Sequence, residues 1–302
     1  MRRIWKSLEQ TVLSAVLALL AACSPLAILN ATAPEDDYTA KRAIAYGDLP
    51  RQELDVYTPR ASRMPAPVVV FFYGGAWEGG ERADYQFAAE ALTAQGYVAV
   101  IPDYRVYPAV KFPQFLEDCA RAVKWVQDHI GDYGGDARRI YLMGHSAGAY
   151  NAAMLVFNPR YLREVGLDPA MLSGFIGLAG PYDFLPLKEP ALIEIFGGKD
   201  NIPYTQPINF VTKDAPPVLL LVGNTDTRVK PGNTVRLAAR LREKGAQVTQ
   251  ITYDGIGHLR LLGALSNVFQ GWAPVRSDVA QFIKSTTSPA VAARPAVSSG
   301  AN

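Results

Sequence analysis

Residues 138–157 read RRIYLMGHSAGAYNAAMLVF and contain the pattern that decides the fold. An apolar stretch ends at the sequence GHSAG (144–148), and an alanine-rich stretch of helical composition follows at once. This is the strand–turn–helix setting that a G-x-S-x-G motif requires. The turn holds the serine hydroxyl clear of the sheet, and the start of the helix directs its free N–H groups and its positive dipole end to the same place. The pattern predicts that Ser146 is a nucleophile.

The segments on both sides of this motif alternate between strand-like and helix-like patterns. Strands are predicted at 52–59, 66–73, 97–105, 138–146, 173–180, 216–226 and 247–255, and helices at 84–96, 112–130, 147–157 and 235–245. Short apolar strands that alternate with helices pair in parallel through crossover connections, with helices on both faces. The sequence therefore predicts an α/β protein with a mostly parallel, doubly wound sheet.

Composition and proline content predict the domain boundaries. The chain has 302 residues, of which 49% are hydrophobic and 19% charged, as in globular proteins. A single domain is predicted over 50–284, after a linker at 23–49. Residues 184–214 are proline-rich and irregular between two strands, which favours a small inserted lid. Residues 285–302 are rich in Ala, Pro and Ser and predict a disordered tail.

The N-terminus has the pattern of an export signal. A basic start, MRRIWK, precedes an apolar stretch at 11–22. This stretch is too short to span a membrane, because a membrane-spanning helix needs about 20 apolar residues. The stretch ends in LAAC (20–23), which resembles a bacterial lipobox, so 1–22 is predicted as a signal peptide with lipid attached to Cys23. The resemblance implies a membrane anchor on the periplasmic side, and Ser24 implies the outer membrane. Ordinary cleavage after the A-x-A sequence at 31–33 is the alternative.

Charge and cysteine content limit the partners. The net charge is +2, and Arg2, Arg3, Lys6 and Glu9 of the predicted signal account for all of it, so nothing favours a nucleic-acid partner. Cys119 lies on the apolar stripe of a helix and is predicted to be a buried free thiol, with no disulfide. Three scattered histidines without a spaced ligand cluster predict no metal site, and no cofactor is expected.

A serine hydroxyl needs a base before it becomes a good nucleophile. The chain has three histidines. The side chain of His145 is expected to diverge from its neighbour Ser146, and His129 lies within a predicted helix. His258 follows the predicted strand 247–255, and loops beyond the carboxyl ends of strands hold catalytic groups in open α/β sheets. We therefore predict that His258 is the base.

A carboxylate must hold the imidazole of that base in the correct tautomer. Asp226 is the first candidate. It ends the predicted strand 216–226, and the next predicted strand, 247–255, precedes His258. Asp254 is the alternative, although its position before Gly255 is typical of a turn residue. The sequence leaves both candidates in place.

Acyl transfer through a serine produces an oxyanion, which fixed N–H groups stabilise. Ala147 follows the nucleophile, and Gly74 and Gly75 end the apolar strand VVVFFY (68–73), so these three backbones are predicted to form the oxyanion hole. Trp77 and Tyr182 each follow a predicted strand end. They are candidates for the substrate pocket, with packing in the core as the alternative.

Five short sequences together resemble one family: YGGAW (73–77), PDYRVYP (102–108), GHSAG (144–148), GNTD (223–226) and IGH (256–258). They are similar to the esterase branch of the α/β-hydrolases, in particular hormone-sensitive-lipase-like carboxylesterases and bacterial bifunctional feruloyl and acetylxylan esterases. The resemblance covers roughly 50–284. It implies a carboxylesterase that acts on small or medium esters through an acyl-enzyme. The same motifs occur in kynurenine-formamidase-like enzymes, so hydrolysis of a formamide is the alternative.

The family motifs carry functional roles onto Ser146, Asp226, His258, Gly74 and Gly75. The chain order of serine, aspartate and histidine is that of the α/β-hydrolases. Relatives begin the glycine turn with histidine, where this chain has Tyr73. The resemblance also implies that Asp103 and Arg105 form a buried structural pair near that turn.

Overall fold

The centre of the molecule is a sheet of eight strands within the residues that the computed structural model describes, which are 25–61, 64–198 and 202–287. The strands are β1 (Tyr38–Ala45), β2 (Glu53–Pro59), β3 (Ala66–Phe72), β4 (Val98–Pro102), β5 (Gly135–His145), β6 (Leu172–Leu178), β7 (Val218–Gly223) and β8 (Val248–Tyr253). The helices are α1 (Pro25–Ala31), α2 (Gln86–Thr93), α3 (Gln114–His129), α4 (Ala147–Phe157), α5 (Pro159–Glu164), α6 (Pro190–Phe196), α7 (Gly232–Glu243), α8 (His258–Gly263) and α9 (Val275–Thr287).

The strand order is β1-β2-β4-β3-β5-β6-β7-β8. The pairs β1–β2 and β2–β4 are antiparallel, and all the remaining pairs are parallel. The central strands are buried on both faces, which explains why they read as continuous apolar runs rather than as alternating patterns. The predicted mostly parallel α/β architecture is confirmed.

The connection between β5 and α4 brings two backbones into unusually close contact. A Cβ atom on Gly148 would lie 2.0 Å from the carbonyl oxygen of Phe72, and one on Gly144 would lie 2.4 Å from the carbonyl oxygen of Gly148. Gly148 is therefore needed for the end of β3 to pass beside the start of α4, and Gly144 for α4 to begin so close to the end of β5. This approach places the turn at 144–148 against the turn that follows β3.

Two predicted boundaries were wrong. The segment 23–49, predicted as a linker, contains α1 and β1, and β1 pairs with β2. Strand β1 lies at the sheet edge and is largely exposed, so it lacks the apolar run by which a buried strand is recognised. At the other end α9 continues to Thr287, so the first residues of the predicted tail at 285–302 are helical.

The predicted lid at 184–214 contains the short helix α6 and two 3₁₀ turns, Pro203–Thr205 and Pro207–Phe210. The predicted signal peptide at 1–22 and Cys23 lie outside the described residues. Among the helices that are described, none combines the length and the apolar composition needed to span a bilayer.

Candidate active site

Ser146 lies on a strained turn between β5 and α4. Its backbone has φ 55° and ψ −125°, a combination that residues with a side chain rarely adopt. Hydrogen bonds hold the turn on both sides. The Ser146 N–H donates to the carbonyl of Leu178 on β6 at 2.9 Å, and the Ser146 carbonyl accepts from Ala149 and Tyr150 in α4. The side chain of Ser146 faces a cavity of about 160 Å³.

His258 and Asp226 are joined by a hydrogen bond of 2.7 Å between Nδ1 and Oδ2. Both side chains are buried, with residue exposures of 8% and 3%. The second carboxylate oxygen of Asp226 accepts the N–H groups of Arg228 and Val229, each at 2.9 Å. These bonds fix the carboxylate, which in turn orients the imidazole. His258 lines the same cavity as Ser146, so the structure brings the three predicted residues to one site.

The loop after β8 reaches this site because a glycine ends β7. A Cβ on Gly223 would lie 1.9 Å from the carbonyl oxygen of Ile256, so only glycine permits the approach. Asp254, the alternative acid, is exposed, and its Oδ1 accepts from the side-chain amide of Asn224 at 2.9 Å. It is placed as a turn residue, next to Gly255 at φ 69°.

His145 lies beside the proposed base rather than away from the site. Its ring centroid is 4.6 Å from that of His258, and its Nε2 is 3.3 Å from the His258 carbonyl oxygen. A carbonyl oxygen only accepts, so Nε2 carries the proton in this contact. Burial, together with the neighbouring His258, holds the pKa of His145 well below its ordinary value of 6.5. His145 is therefore neutral. Its side chain was expected to diverge from Ser146, but it lines the same cavity as Ser146 and His258.

The turn after β3 supplies backbone on the other side of Ser146. A Cβ on Gly74 would lie 3.0 Å from the Cβ of Ser146, so the turn passes directly over the side chain of Ser146. Gly75 has φ 138°, and Ala76 and Trp77 also have positive φ values, so the backbone of the turn is strained where Gly74, Gly75 and Ala76 line the cavity. Ala147 begins α4, where the first N–H groups have no partner inside the helix. The backbones of Gly74, Gly75 and Ala147 thus flank Ser146.

Tyr73 stabilises this turn through its hydroxyl and its ring. The hydroxyl donates to Asp103 Oδ1 at 2.7 Å and accepts from Arg51 Nη2 at 2.8 Å. The Tyr73 carbonyl accepts from the hydroxyl of Tyr104 at 2.7 Å. The Tyr73 ring is stacked between those of Tyr85 and Tyr104, with centroids 5.2 and 4.8 Å away. A fully buried tyrosine therefore links the turn to a charged network.

Asp103 and Arg105 do not pair with each other. The Asp103 carboxylate accepts from the guanidinium and from the backbone N–H of Arg82, whereas Arg105 binds Asp118 at 2.7 Å. The expected structural role near the turn holds for Asp103, but the expected pair was wrong. The two side chains bind partners from different parts of the chain, since Arg82 lies before α2 and Asp118 lies in α3.

A second, larger cavity of about 620 Å³ also reaches Ser146. It is lined by Ala147, by Trp77 and Phe184, and by residues 185–189 of the predicted lid. Trp77 is nearly buried, and its indole N–H donates to the side chain of Asn151 at 2.9 Å. Its ring therefore has a fixed orientation at the wall of this cavity.

Tyr182 lies away from both cavities. It is fully buried, and its ring packs edge-on against Phe175. Gly177 and Gly180 leave the space that it occupies, since a Cβ on Gly177 would lie 2.1 Å from the Tyr182 hydroxyl. The neighbours Pro181 and Asp183 line the larger cavity instead. The prediction from the strand end identified the correct loop. It did not identify which side chain of that loop faces the cavity.

Comparison with known proteins identifies the family. The BD-FAE family model matches residues 54–241, which is more than half of the chain. The chain belongs to the BD-FAE family. A probable isoprenylcysteine alpha-carbonyl methylesterase of Arabidopsis thaliana is 30% identical over 244 residues, which cover 73% of this chain and 51% of that protein. Esterase LipC of Mycobacterium tuberculosis is 31% identical over 242 residues, 73% of this chain and 60% of LipC.

Solved structures agree with this membership at the level of fold. Esterase B of Lactobacillus rhamnosis superposes with a TM-score of 0.74 over 92% of this chain and 96% of its own, at 18% identity. The predicted resemblance to esterases of the α/β-hydrolase fold is confirmed. The chain spans about half to three fifths of the length of the two curated relatives named above.

Several residues at or behind this site were not found from the sequence, among them Arg51, Arg82, Leu26 and His145. Arg51 and Arg82 bind the network behind the Gly74 turn, and Leu26 and His145 line the smaller cavity. The backbone of Arg51 has a φ of 65°, a strained conformation that the residue type does not predict. Leu26 lies outside the matched segment, and only its packing in three dimensions brings it to the site.

Proposed function

We propose that this chain is a serine carboxylic ester hydrolase that acts through Ser146, His258 and Asp226. The observation that carries the proposal is the 2.7 Å bond between Asp226 and His258 beside Ser146, in one cavity with the glycine turn. An oriented base and a hydroxyl on a strained turn, flanked by backbone N–H groups, are the parts that acyl transfer requires. Membership of the BD-FAE family and relatives named esterases support the same activity.

In the first half of the reaction Ser146 Oγ attacks the ester carbonyl while His258 Nε2 takes its proton. Asp226 holds Nδ1–H and stabilises the imidazolium. The carbonyl oxygen becomes an oxyanion, which the N–H groups of the Gly74–Gly75 turn and of Ala147 stabilise. When the tetrahedral intermediate collapses, His258 donates its proton to the alcohol, which leaves. Water then attacks the acyl-enzyme while His258 takes its proton, and collapse of the second tetrahedral intermediate returns that proton to Ser146 Oγ and releases the acid.

The two cavities suggest where the halves of the ester bind. The departing alcohol oxygen must lie within reach of His258, and His258 lines the smaller cavity. The acyl chain then occupies the larger cavity, against Trp77 and Phe184. A cavity of about 620 Å³, whose wall combines the rings of Trp77 and Phe184 with charged residues such as Lys188 and Arg236, accommodates an acyl group of small or medium size.

A panel of methyl esters tests the proposed activity. Methyl acetate, methyl butanoate and methyl octanoate are followed by alkali uptake, and N-formylkynurenine by absorbance, each against an enzyme-free blank. We expect hydrolysis of the esters, with the highest kcat/KM at butanoate, because Trp77 and Phe184 of the larger cavity can contact a short alkyl chain, and little cleavage of the formamide. Cleavage of N-formylkynurenine without turnover of any ester would instead support the formamidase alternative, which the names of the relatives do not favour.

We also propose that the enzyme lies on the periplasmic side of a bacterial membrane, anchored by lipid on Cys23. Its support is the sequence LAAC at 20–23, with Ser24 favouring the outer membrane. The variant Cys23→Ala is expected to move the protein from the membrane to the soluble fraction of a bacterial expression host, as measured by immunoblot of both fractions. Cys119→Ala is the matched control and should leave the distribution unchanged. Membrane-bound Cys23→Ala protein would contradict the anchor.

A further inference from the structure

Helix α1 (Pro25–Ala31) lies outside the predicted domain and before the segment that matches the BD-FAE model. One of its side chains nevertheless reaches the active site. Leu26 is partly buried and lines the smaller cavity together with Ser146, His258 and the Gly74–Gly75 turn. A segment that contributes no catalytic group therefore forms part of the wall around the reacting atoms.

Specific contacts hold α1 in this place. Asn30 donates through Nδ2 to the carbonyl of Ala83 at 2.6 Å, and its Oδ1 accepts the N–H of Phe87 at 3.1 Å. Leu29 is buried, with 6% of its surface exposed. Since Phe87 lies in the first turn of α2, this pair of bonds ties α1 to the body of the fold. Leu26, one turn before Asn30, is held at the cavity as a result.

The smaller cavity has room for only a small group. Its volume is about 160 Å³, against about 620 Å³ for the larger cavity. Leu259 and Leu262, from the first turns of α8, line it as well. Leu262 is buried in the core, whereas Leu26 stands on a separate helix. Shortening Leu26 would therefore enlarge the cavity without disturbing the elements that carry Ser146 and His258.

We propose that α1 is part of the substrate site and that Leu26 limits the size of the alcohol group of the ester. The preferred substrates are thus esters of short alcohols, with the larger part of the molecule on the acyl side. This inference rests on the proposed ester hydrolysis, because the alcohol is assigned to the smaller cavity by the position of His258. Removing side-chain volume at Leu26 should admit longer alcohols, and adding volume should exclude them.

The test keeps the acyl group constant and varies the alcohol. Methyl, butyl and octyl butanoate are assayed by alkali uptake with the whole chain and with Leu26→Ala and Leu26→Trp. We expect Leu26→Ala to raise the octyl-to-methyl ratio of kcat/KM about tenfold and Leu26→Trp to lower it, which corresponds to a change of about 1.4 kcal/mol in relative transition-state binding for Leu26→Ala. If the two variants shift the octyl-to-methyl ratio in opposite directions, the cause is the size of the cavity. Detachment of α1 from the fold would instead shift the ratio in the same direction in both variants.

Ile28→Ala is the matched control, because Ile28 is on the same helix, is 37% exposed and lines neither cavity. Its ratio should remain within twofold of the unmodified chain, and thermal melting verifies that all variants are folded. An unchanged ratio in Leu26→Ala and Leu26→Trp, with normal hydrolysis of methyl butanoate, would overturn the role of Leu26 and leave the proposed function standing. Failure of the unmodified chain to hydrolyse any of the three esters would overturn the proposed function itself.

Discussion

Asparagine in place of Asp226 is expected to lower kcat for ester hydrolysis about 10⁴-fold. The Asp226 carboxylate accepts the Nδ1–H of His258 at 2.7 Å and so leaves Nε2 free to take the serine proton. An amide whose NH₂ group faces the ring favours the tautomer with the proton on Nε2, which cannot act as a base toward Ser146. The amide also has no charge with which to stabilise the imidazolium. The loss should therefore appear in kcat, with a small change in KM.

Asp254→Asn is the matched control for this prediction. Asp254 binds Asn224 at the surface of a turn, so the same change of carboxylate to amide should leave kcat within about twofold. Ser146→Ala gives the lowest activity against which both variants are compared, and thermal melting of each shows that the fold is intact. Loss of activity in Asp254→Asn with normal turnover in Asp226→Asn would reverse the assignment of the acid.

Methionine in place of Arg82 is expected to lower the free energy of unfolding by about 3–5 kcal/mol. Arg82 binds Asp103, Asp55 and Glu53, and the Asp55 and Asp103 side chains are only 4% and 5% exposed. Methionine keeps much of the side-chain volume but removes the charge. Two buried carboxylates would then remain without their cation, and an unpaired buried charge costs more than the loss of an exposed ion pair. Urea denaturation followed by circular dichroism measures the change.

Arg240→Met provides the comparison, because its ion pair with Glu243 is at the surface, with side-chain exposures of 35% and 62%. A pair of this kind contributes at most about 1 kcal/mol. Arg82→Met should also reduce kcat at temperatures where it is folded, since Asp103 holds the hydroxyl of Tyr73 directly before the Gly74 turn. A loss of less than about 1 kcal/mol in Arg82→Met would show that the carboxylates find other partners or water.

The local part of the site could be predicted from the sequence. The strand–turn–helix around Ser146 was recognised because each piece has a short-range signature: an apolar run, two glycines and an alanine-rich helix, which begins at Ala147 and ends at Phe157 as predicted. The position of His258 followed from the same logic, since loops after parallel strands gather at one edge of the sheet. Edge strand β1 and helix α1 were missed, because neither has a buried run long enough to stand out.

The sequence alone determined that this chain forms a mostly parallel α/β sheet with Ser146 on a turn after its central strand, because these features depend on neighbouring residues and on the period of the apolar pattern. Tertiary structure alone decided that Tyr73 binds Asp103 and Arg51, that His145 lies against His258, and that Leu26 faces the cavity of Ser146. Each of these contacts joins side chains from separate elements. Their direction and distance are set by how the elements pack, which no local pattern records.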